Sequence, residues 1–524
     1  MRKIALLLLA LLILGACRPA PGTPATHTPI LTGMSTPAPI PTTIPTPTPP
    51  SLSSPAIAAT LGHSRPLAPD FLGLNAETVN PATDQRMLSA LQRLAVGNLR
   101  YPGGGTANYW DWELGWLYQH LDENQLIWWM HGMPAHSDRF TLQDLALVYR
   151  ETGALPVLVL NMVTSDLDEQ LDALRQAADL GIPIRRVELG NELYMDIEPY
   201  VLQKYPTVED YAAEANRWAA AIKAAFPAAQ IAVVGAASAG APSNPRTRGW
   251  DKTLFPLLSD DIDAVAGHLY IDFGVGTPVQ PGTGWGSETE QASQYQAMRT
   301  SQGIQKMLSR PFLAWHEMNR FSHLPIDRQI WITEFSILDW NGPARGTWAH
   351  GLTVAGFLHT FLQNEQVDLV CYHSMAGGPL FAAIFPSEEH WAGLTVAEVR
   401  TPAYAPTAVG RVLTLFGEAM AGMDTAAMLD FSPQPTVTVG LVTHPTVLGW
   451  RFANATERRF ILVNLSEQPF TVNLAALDAA GLPYRQVYAI PWVWVLDEST
   501  LARVEGTTGD TLILPAFSIT LLRR

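Results

Sequence analysis

The chain has 524 residues, 47% of them apolar and 15% charged, with a formal net charge of -15. That length exceeds one ordinary core and predicts a large domain with at least one smaller one. The acidic balance offers no general attraction to phosphate backbones or anionic lipid, which argues against a nucleic-acid partner.

Taken in chain order, residues 1–17 read as a leader. Met1-Arg2-Lys3 is a basic start, Ile4 to Ile13 is an apolar run too short to span a bilayer, and Leu14-Gly15-Ala16-Cys17 is a small-residue processing site. The LGAC ending resembles the lipobox of bacterial lipoproteins, which makes Cys17 the expected lipidation site and a lipid anchor the expected membrane partner. Cys371 is the other cysteine, so a lipidated Cys17 leaves no intramolecular disulfide. Residues 18–55 are rich in Pro, Thr, Ser and Ala and carry no acidic residue or lysine. Such a stretch buries too little apolar surface to offset its ordering entropy and is expected to be a tether. Together these segments predict a protein held to the outside of a cell membrane.

From 56 to 418, eight short apolar runs alternate with amphipathic ones. The runs are Phe71 to Glu77, Asn98 to Pro102, Leu155 to Met162, Arg186 to Glu192, Ile231 to Ala237, Ile262 to Ile271, Gln329 to Ser336 and Val367 to Ser374. Between them, Asp166 to Leu180, Val208 to Phe226 and Gly351 to Asn364 carry apolar residues three and four apart. Apolar strands separated by helices form a parallel sheet covered on its outside, and eight such units predict a (β/α)8 barrel. An open doubly wound sheet is the rival, but no Gly-rich phosphate fingerprint follows a strand. From 419 to 524 the pattern changes to short alternating runs: Val437 to Val442, Val447 to Phe452, Arg459 to Leu465, Phe470 to Leu474, Gln486 to Ile490 and Thr511 to Leu522. These predict a C-terminal all-β sandwich.

Barrel active sites lie at the C-terminal strand ends, and those ends are polar here. They deliver Glu77, Arg100, Asn191-Glu192, His268 with Tyr270, Glu334, and Tyr372-His373. Two carboxyls facing across a pocket can divide labour, one as a general acid and one as a nucleophile, which is what glycoside cleavage requires. Glu192 and Glu334, from nearly opposite sides of the ring, are the candidates.

The Gly-Asn-Glu ending of the fourth run, Glu334 in WITEF and His268-x-Tyr270 resemble the clan A glycoside hydrolases, which are retaining enzymes on this barrel. LRYPGG from Leu99, followed by YWDWELG from Tyr109, is similar to the family 51 α-L-arabinofuranosidases, with families 79, 39 and 30 as neighbours. The resemblance implies that Glu192 is the acid/base and Glu334 the nucleophile. It places Asn191 on the hydroxyl beside the anomeric carbon, Arg100 beneath the nucleophile, Tyr270 as a donor to the same carboxylate, and His268 in the sugar pocket. Glu77, Trp110 and Asp111 are further substrate-contact candidates. The third glycine, Gly105, and the Val187-Glu188-Leu189 before Gly190 depart from the family 51 pattern.

The Trp110, Trp112, Trp116, Trp128 and Trp129 cluster supplies either sugar-stacking faces or core. His316-Glu317 lacks the second histidine of a zinc-protease helix, His131 and His136 are not a specific ligand pair, and Gly235-Ala236-Ala237-Ser238 is not a nucleophile elbow. No metal and no organic cofactor is therefore expected. The expected partner is a carbohydrate, and the expected reaction is hydrolysis with retention. A glycan-binding protein without turnover and a transglycosylase are the rival readings.

Overall fold

The computed structural model describes residues 54–523 apart from 128–129, 134–138, 237–244, 272–292, 294–295, 319–323, 326, 338–343, 377–381, 386–388, 392–398, 441 and 496–497. The expected leader, Cys17, nearly all of the tether, Trp128, Trp129 and His136 lie outside the described residues.

Strands are numbered along the chain from Ala56–Pro66 (β1). Eight parallel strands then close a barrel: Leu72–Asn75 (β2), Asn98–Tyr101 (β3), Leu155–Leu160 (β4), Arg186–Leu189 (β5), Gln230–Val234 (β6), Ala264–Ile271 (β7), Gln329–Ile337 (β8) and Val367–Tyr372 (β9). β9 pairs with β2, Val370 opposite Leu72, which completes the ring. All eight apolar runs are therefore barrel strands. They are apolar throughout because one face fills the barrel and the other meets the helices.

Among the described residues a main helix follows each strand: Gln85–Leu94 (α1), Leu142–Thr152 (α2), Leu167–Asp179 (α3), Val208–Ala225 (α4, preceded by the short helix Pro199–Lys204), Pro245–Leu254 (α5), Ser301–Met318 (α6), Trp348–Leu362 (α7) and Ala408–Met420 (α8). In α4 the buried Tyr211, Ala215, Trp218 and Ile222 recur at spacings of three and four. Thr207 and Asp210 start that helix by capping each other's backbone N–H groups. α7 is buried on every side, lying against α6 and α8, and the Trp348 indole donates to the Phe517 carbonyl at 2.7 Å in the C-terminal unit.

The C-terminal unit is a sheet of nine strands. After the barrel come Thr425–Ser432 (β10), Val447–Ala453 (β11), Arg458–Asn464 (β12), Phe470–Asn473 (β13), Pro483–Tyr488 (β14), Ala502–Thr507 (β15), Thr511–Leu514 (β16) and Ser518–Leu522 (β17), in the order β15-β14-β17-β12-β11-β10-β1-β13-β16. The sheet curls over itself. Phe460, Leu462 and Leu522 from its middle meet Val472, Leu512 and Leu514 from its edge in one apolar cluster, while Ile461, Val463 and Ile519 face the barrel helices. Gln486 crosses the fold to the Ile513 carbonyl at 2.7 Å.

The expected barrel span began at 56, and the structure corrects that start. β1 pairs antiparallel with β10 and parallel with β13, so residues 56–66 belong to the C-terminal sheet. Its buried Ile57 and Ala59 alternate with exposed neighbours, a period-two pattern that a barrel strand lacks. Two run boundaries also move. Val437 to Val442 spans the turn of a hairpin, Thr436–Val439 with Val442–Pro445, and the Thr511 to Leu522 run divides into β16 and β17 around Pro515.

Candidate active site

Arg100, at the end of β3, is fully buried and makes four hydrogen bonds. Nε and Nη2 bind the two Glu188 oxygens at 2.7 and 3.0 Å, Nη1 binds Glu334 Oε1 at 2.8 Å, and Nη2 also binds Asn191 Oδ1 at 2.8 Å. One planar guanidinium thus fixes three side chains from two other strands, which a flexible ammonium could not match. Thr333 adds a bond to Glu188 at 3.1 Å. Consecutive residues of a strand normally face opposite ways, yet Thr333 and Glu334 both reach this network. A register shift in β8 between Ile332 and Glu334 makes that possible.

Glu334 is 4% exposed and ringed by donors. Oε1 also accepts from Asn75 Nδ2 at 3.2 Å, while Oε2 accepts from the Tyr270 hydroxyl at 2.5 Å and lies 3.3 Å from His373 Nδ1 and 3.6 Å from His268 Nδ1. Burial by itself pushes this carboxyl up. The charges of His268, His373 and Arg100 outweigh burial and hold it well below the usual carboxylate range. The side chain is therefore ionised at neutral pH.

Glu192 has a different setting. Its Oε1 accepts from the Tyr194 hydroxyl at 2.9 Å and lies 2.8 Å from His268 Nδ1. The backbone reaches it through Gly190 at φ 88°, and Glu192 itself has φ 49°, a left-handed conformation that costs a glutamate about 1 kcal/mol or more. Asn108 holds this turn, donating to the Asn191 carbonyl at 2.8 Å and accepting from its N–H at 3.0 Å. Beneath it the buried Glu198 takes the Tyr109 hydroxyl at 2.8 Å, and burial pushes its carboxyl up to about 7.

The Asn191 amide can face only one way. Arginine has donors alone, so the oxygen must face Arg100, and Nδ2 is left buried without a hydrogen-bond partner. A donor held in that condition is ready for a ligand oxygen.

Of the expected site residues, Arg100, Asn191, Glu192, His268, Tyr270 and Glu334 converge. Glu77 joins them through His373, whose Nε2 pairs with Glu77 Oε1 while Nδ1 faces Glu334. Burial lowers the His373 imidazole, but the charges of Glu77 and Glu334 prevail and raise it to about 10. Tyr372 points away, its hydroxyl accepting from Ser336 at 3.1 Å.

Two expectations are corrected. Trp110 is wholly buried in an aromatic cluster, with ring centroids 5.7 Å from Tyr101 and 6.0 Å from Trp116, because an indole there fills the space over β3. Asp111 turns its carboxylate onto the N–H groups of Glu113 and Leu114 at 2.9 and 3.0 Å, closing its own turn. Neither is brought to the carboxylates.

The sequence reading missed Asn75, Glu188, Tyr194 and Glu198. Asn75 shares strand parity with Glu77, and a side chain at Gly103 would meet the Asn75 oxygen at 1.5 Å, which explains that glycine. Glu188 is the lone acid inside an apolar strand, a signal that the Val-Glu-Leu departure already displayed.

Glu192, His268 and Glu334 each present one atom within 4.8 Å of the others, the spacing of a metal cluster. The Arg100 cation 2.8 Å from Glu334 already supplies positive charge there and would repel a metal ion.

The architecture is that of a (β/α)8 barrel carrying polar strand ends and a β-sandwich. In comparisons with solved structures the chain is similar to a family 51 alpha-L-arabinofuranosidase from Bifidobacterium longum, with a TM-score of 0.63 at 17% identity, covering 90% of this chain and 100% of that one. A family 51 arabinofuranosidase from Xanthomonas axonopodis pv. citri gives 0.60 at 17% identity, covering 89% and 99%. These likenesses establish the shared fold. Among curated proteins, the chain is 29% identical over 175 residues to alpha-L-arabinofuranosidase C of Emericella nidulans, covering 30% of this chain and 34% of that protein. It is 25% identical over 201 residues to an intracellular exo-alpha-(1->5)-L-arabinofuranosidase of Bifidobacterium longum, covering 36% and 34%. The chain thus spans about a third of the length of the curated relatives it matches. No protein-family model matches it.

Proposed function

We propose that this protein is a retaining glycoside hydrolase that removes α-L-arabinofuranosyl units from extracellular glycans. One observation carries the reading: carboxylate oxygens of Glu192 and Glu334 lie within 4.8 Å, and His268 stands between them. Retaining enzymes place their carboxyls about 5–5.5 Å apart, whereas inverting ones need about 6.5–9.5 Å to admit a water. In the first step Glu334 attacks the anomeric carbon, and Glu192 donates its proton to the departing oxygen. The ester at Glu334 removes the negative charge facing Glu192, which then takes a proton from the incoming water as the water oxygen bonds to the anomeric carbon and the ester bond breaks, freeing the Glu334 carboxylate. The Asn191 Nδ2 donor is placed to bind a ring hydroxyl, strengthening as charge develops in the transition state. The family 51 resemblance supplies the sugar.

The test is a panel of aryl glycosides containing arabinofuranoside, xyloside, glucoside, galactoside, fucoside and glucuronide, with Glu334→Ala as the blank. Release from the arabinofuranoside, with the anomeric configuration of the first product followed by NMR, supports the proposal. Release from another member alone, or an inverted product, refutes its sugar or its stereochemistry. The leader and tether sequences support a location outside the cell, on a lipid anchor at Cys17. Cys17→Ser is expected to move it to the soluble fraction, and persistence with membranes would remove the anchor.

A further inference from the structure

Away from the strand ends, a groove of about 950 Å³ lies between α1, α8 and the C-terminal sheet, within the size range of small-molecule sites. Its lining includes six arginines and one carboxylate. Arg86 and Arg93 come from one face of α1, Arg411 from α8, Arg485 from β14, Arg503 from β15 and Arg523 from the chain end; the carboxylate is Glu418 on α8. Elements of both domains thus bring positive charge to one place on a chain whose net charge is -15.

Glu418 is shared, binding Arg485 at 2.9 Å and Arg523 at 2.7 Å. At the rim, Asp84 holds Arg86 at 2.7 Å, and Arg86 lies 4.8 Å from the centre of the Tyr404 ring. Arg411 is 5% exposed. Partial burial pushes the Arg503 guanidinium down, and Arg411 and Arg485 push the same way, while Glu505 opposes them. Six guanidinium groups lining one groove against a single lining carboxylate make an environment that favours a bound anion.

We propose that this groove is a second binding site, for a short anionic oligosaccharide bearing several carboxylates or sulfates. Guanidinium forks match such groups two bonds at a time. The volume exceeds a single tetrahedral anion, and Leu415, Val487 and Leu501 offer apolar surface between the charges for the C–H faces of a sugar. The acidic remainder of the molecule repels extended polyanions, which selects a ligand small enough to stay within the groove. The site shares no residue with the carboxylate cluster, and it goes beyond the glycosidase reading.

Binding of a galacturonate trimer to the full chain carrying Glu334→Ala tests this by titration calorimetry, with a neutral arabinose trimer as the control. The anionic trimer is expected to bind, more weakly as salt rises, and the neutral one is not expected to bind at this groove. Arg93→Glu with Arg503→Glu, both at exposed positions, is expected to lower that affinity at least tenfold and to leave aryl-glycoside turnover of the otherwise unaltered protein unchanged. Undiminished binding of the anionic trimer in the double variant, or a loss of neutral-trimer binding in that variant as large as the loss for the anionic trimer, would overturn the site. Displacement by inorganic sulfate as effective as by free trimer would overturn the saccharide. Because the titration needs no turnover, its failure leaves the glycosidase proposal standing, and the reverse also holds.

Discussion

Replacing Arg100 by methionine tests the site's electrostatic logic directly. The side chain keeps similar bulk but loses its charge and all four hydrogen bonds, stranding Glu188 at 0% exposure and Glu334 at 4%. Removing one partner of a buried ion pair costs about 3–5 kcal/mol. Glu188 is stranded, while Glu334 loses the guanidinium at 2.8 Å but keeps Tyr270 and His373, so somewhat more than one such cost is expected and the Glu334 share is its pH-dependent part. Urea unfolding followed by tryptophan fluorescence measures it. The pH dependence adds a sign. Glu334 sits below its ordinary 4.5, so its contribution is present above that pH and is lost as pH falls through the depressed value. The gap between wild type and Arg100→Met is therefore widest near neutrality and narrows below about pH 4. Turnover is expected to fall about 10²–10³-fold, as when one preorganised donor to a reacting charge is removed. A stability loss under about 1 kcal/mol, or a gap that is the same at both pH values, would refute the reasoning.

Glu334→Ala is expected to abolish turnover of every substrate, while Glu192→Ala spares the first step for aryl glycosides whose leaving groups need no acid; full activity in the first variant would sink the assignment. Asn191→Ala is expected to lower kcat/KM about a hundredfold, or about 3 kcal/mol of transition-state binding, with a smaller loss of stability from the Arg100 bond it also removes; an unchanged kcat/KM would remove Asn191 from the substrate. His373, raised to about 10 by Glu77 and Glu334, contributes stability in full below its ordinary 6.5 and loses it as pH rises through the folded value. His373→Gln is therefore expected to flatten the alkaline part of the stability profile between those limits, and equal slopes in both proteins would refute it.

Some of this was legible before any coordinates. Runs apolar throughout located all eight barrel strands, and apolar residues three and four apart located the three helices named, because burial of both strand faces or of a helix leaves a local imprint. The polar strand ends pointed to Arg100, Asn191, Glu192 and Glu334 for the same reason: a polar group ending an apolar strand needs an exit to solvent or a site. Parity along β2 and β9 could have added Asn75 and separated His373 from Tyr372.

Other assignments needed the third dimension. β1 precedes the barrel in the chain but closes a sheet whose neighbours lie hundreds of residues later, and nothing local encodes that pairing. Trp110 and Asp111 stand beside a site motif, yet whether an indole stacks on sugar or on Tyr101 depends on which rings surround it. The six-arginine groove arises only where α1, α8 and the sheet meet. The sequence by itself determined that Arg100, Asn191, Glu192 and Glu334 stand at the polar ends of apolar strands, since strand patterning and the polar residues that end it are local properties of side chains and their spacing. Only the tertiary structure decided which of them share a charge, because Coulomb energy depends on separation and burial, and one guanidinium between Glu188, Asn191 and Glu334 joins strands that are distant along the chain.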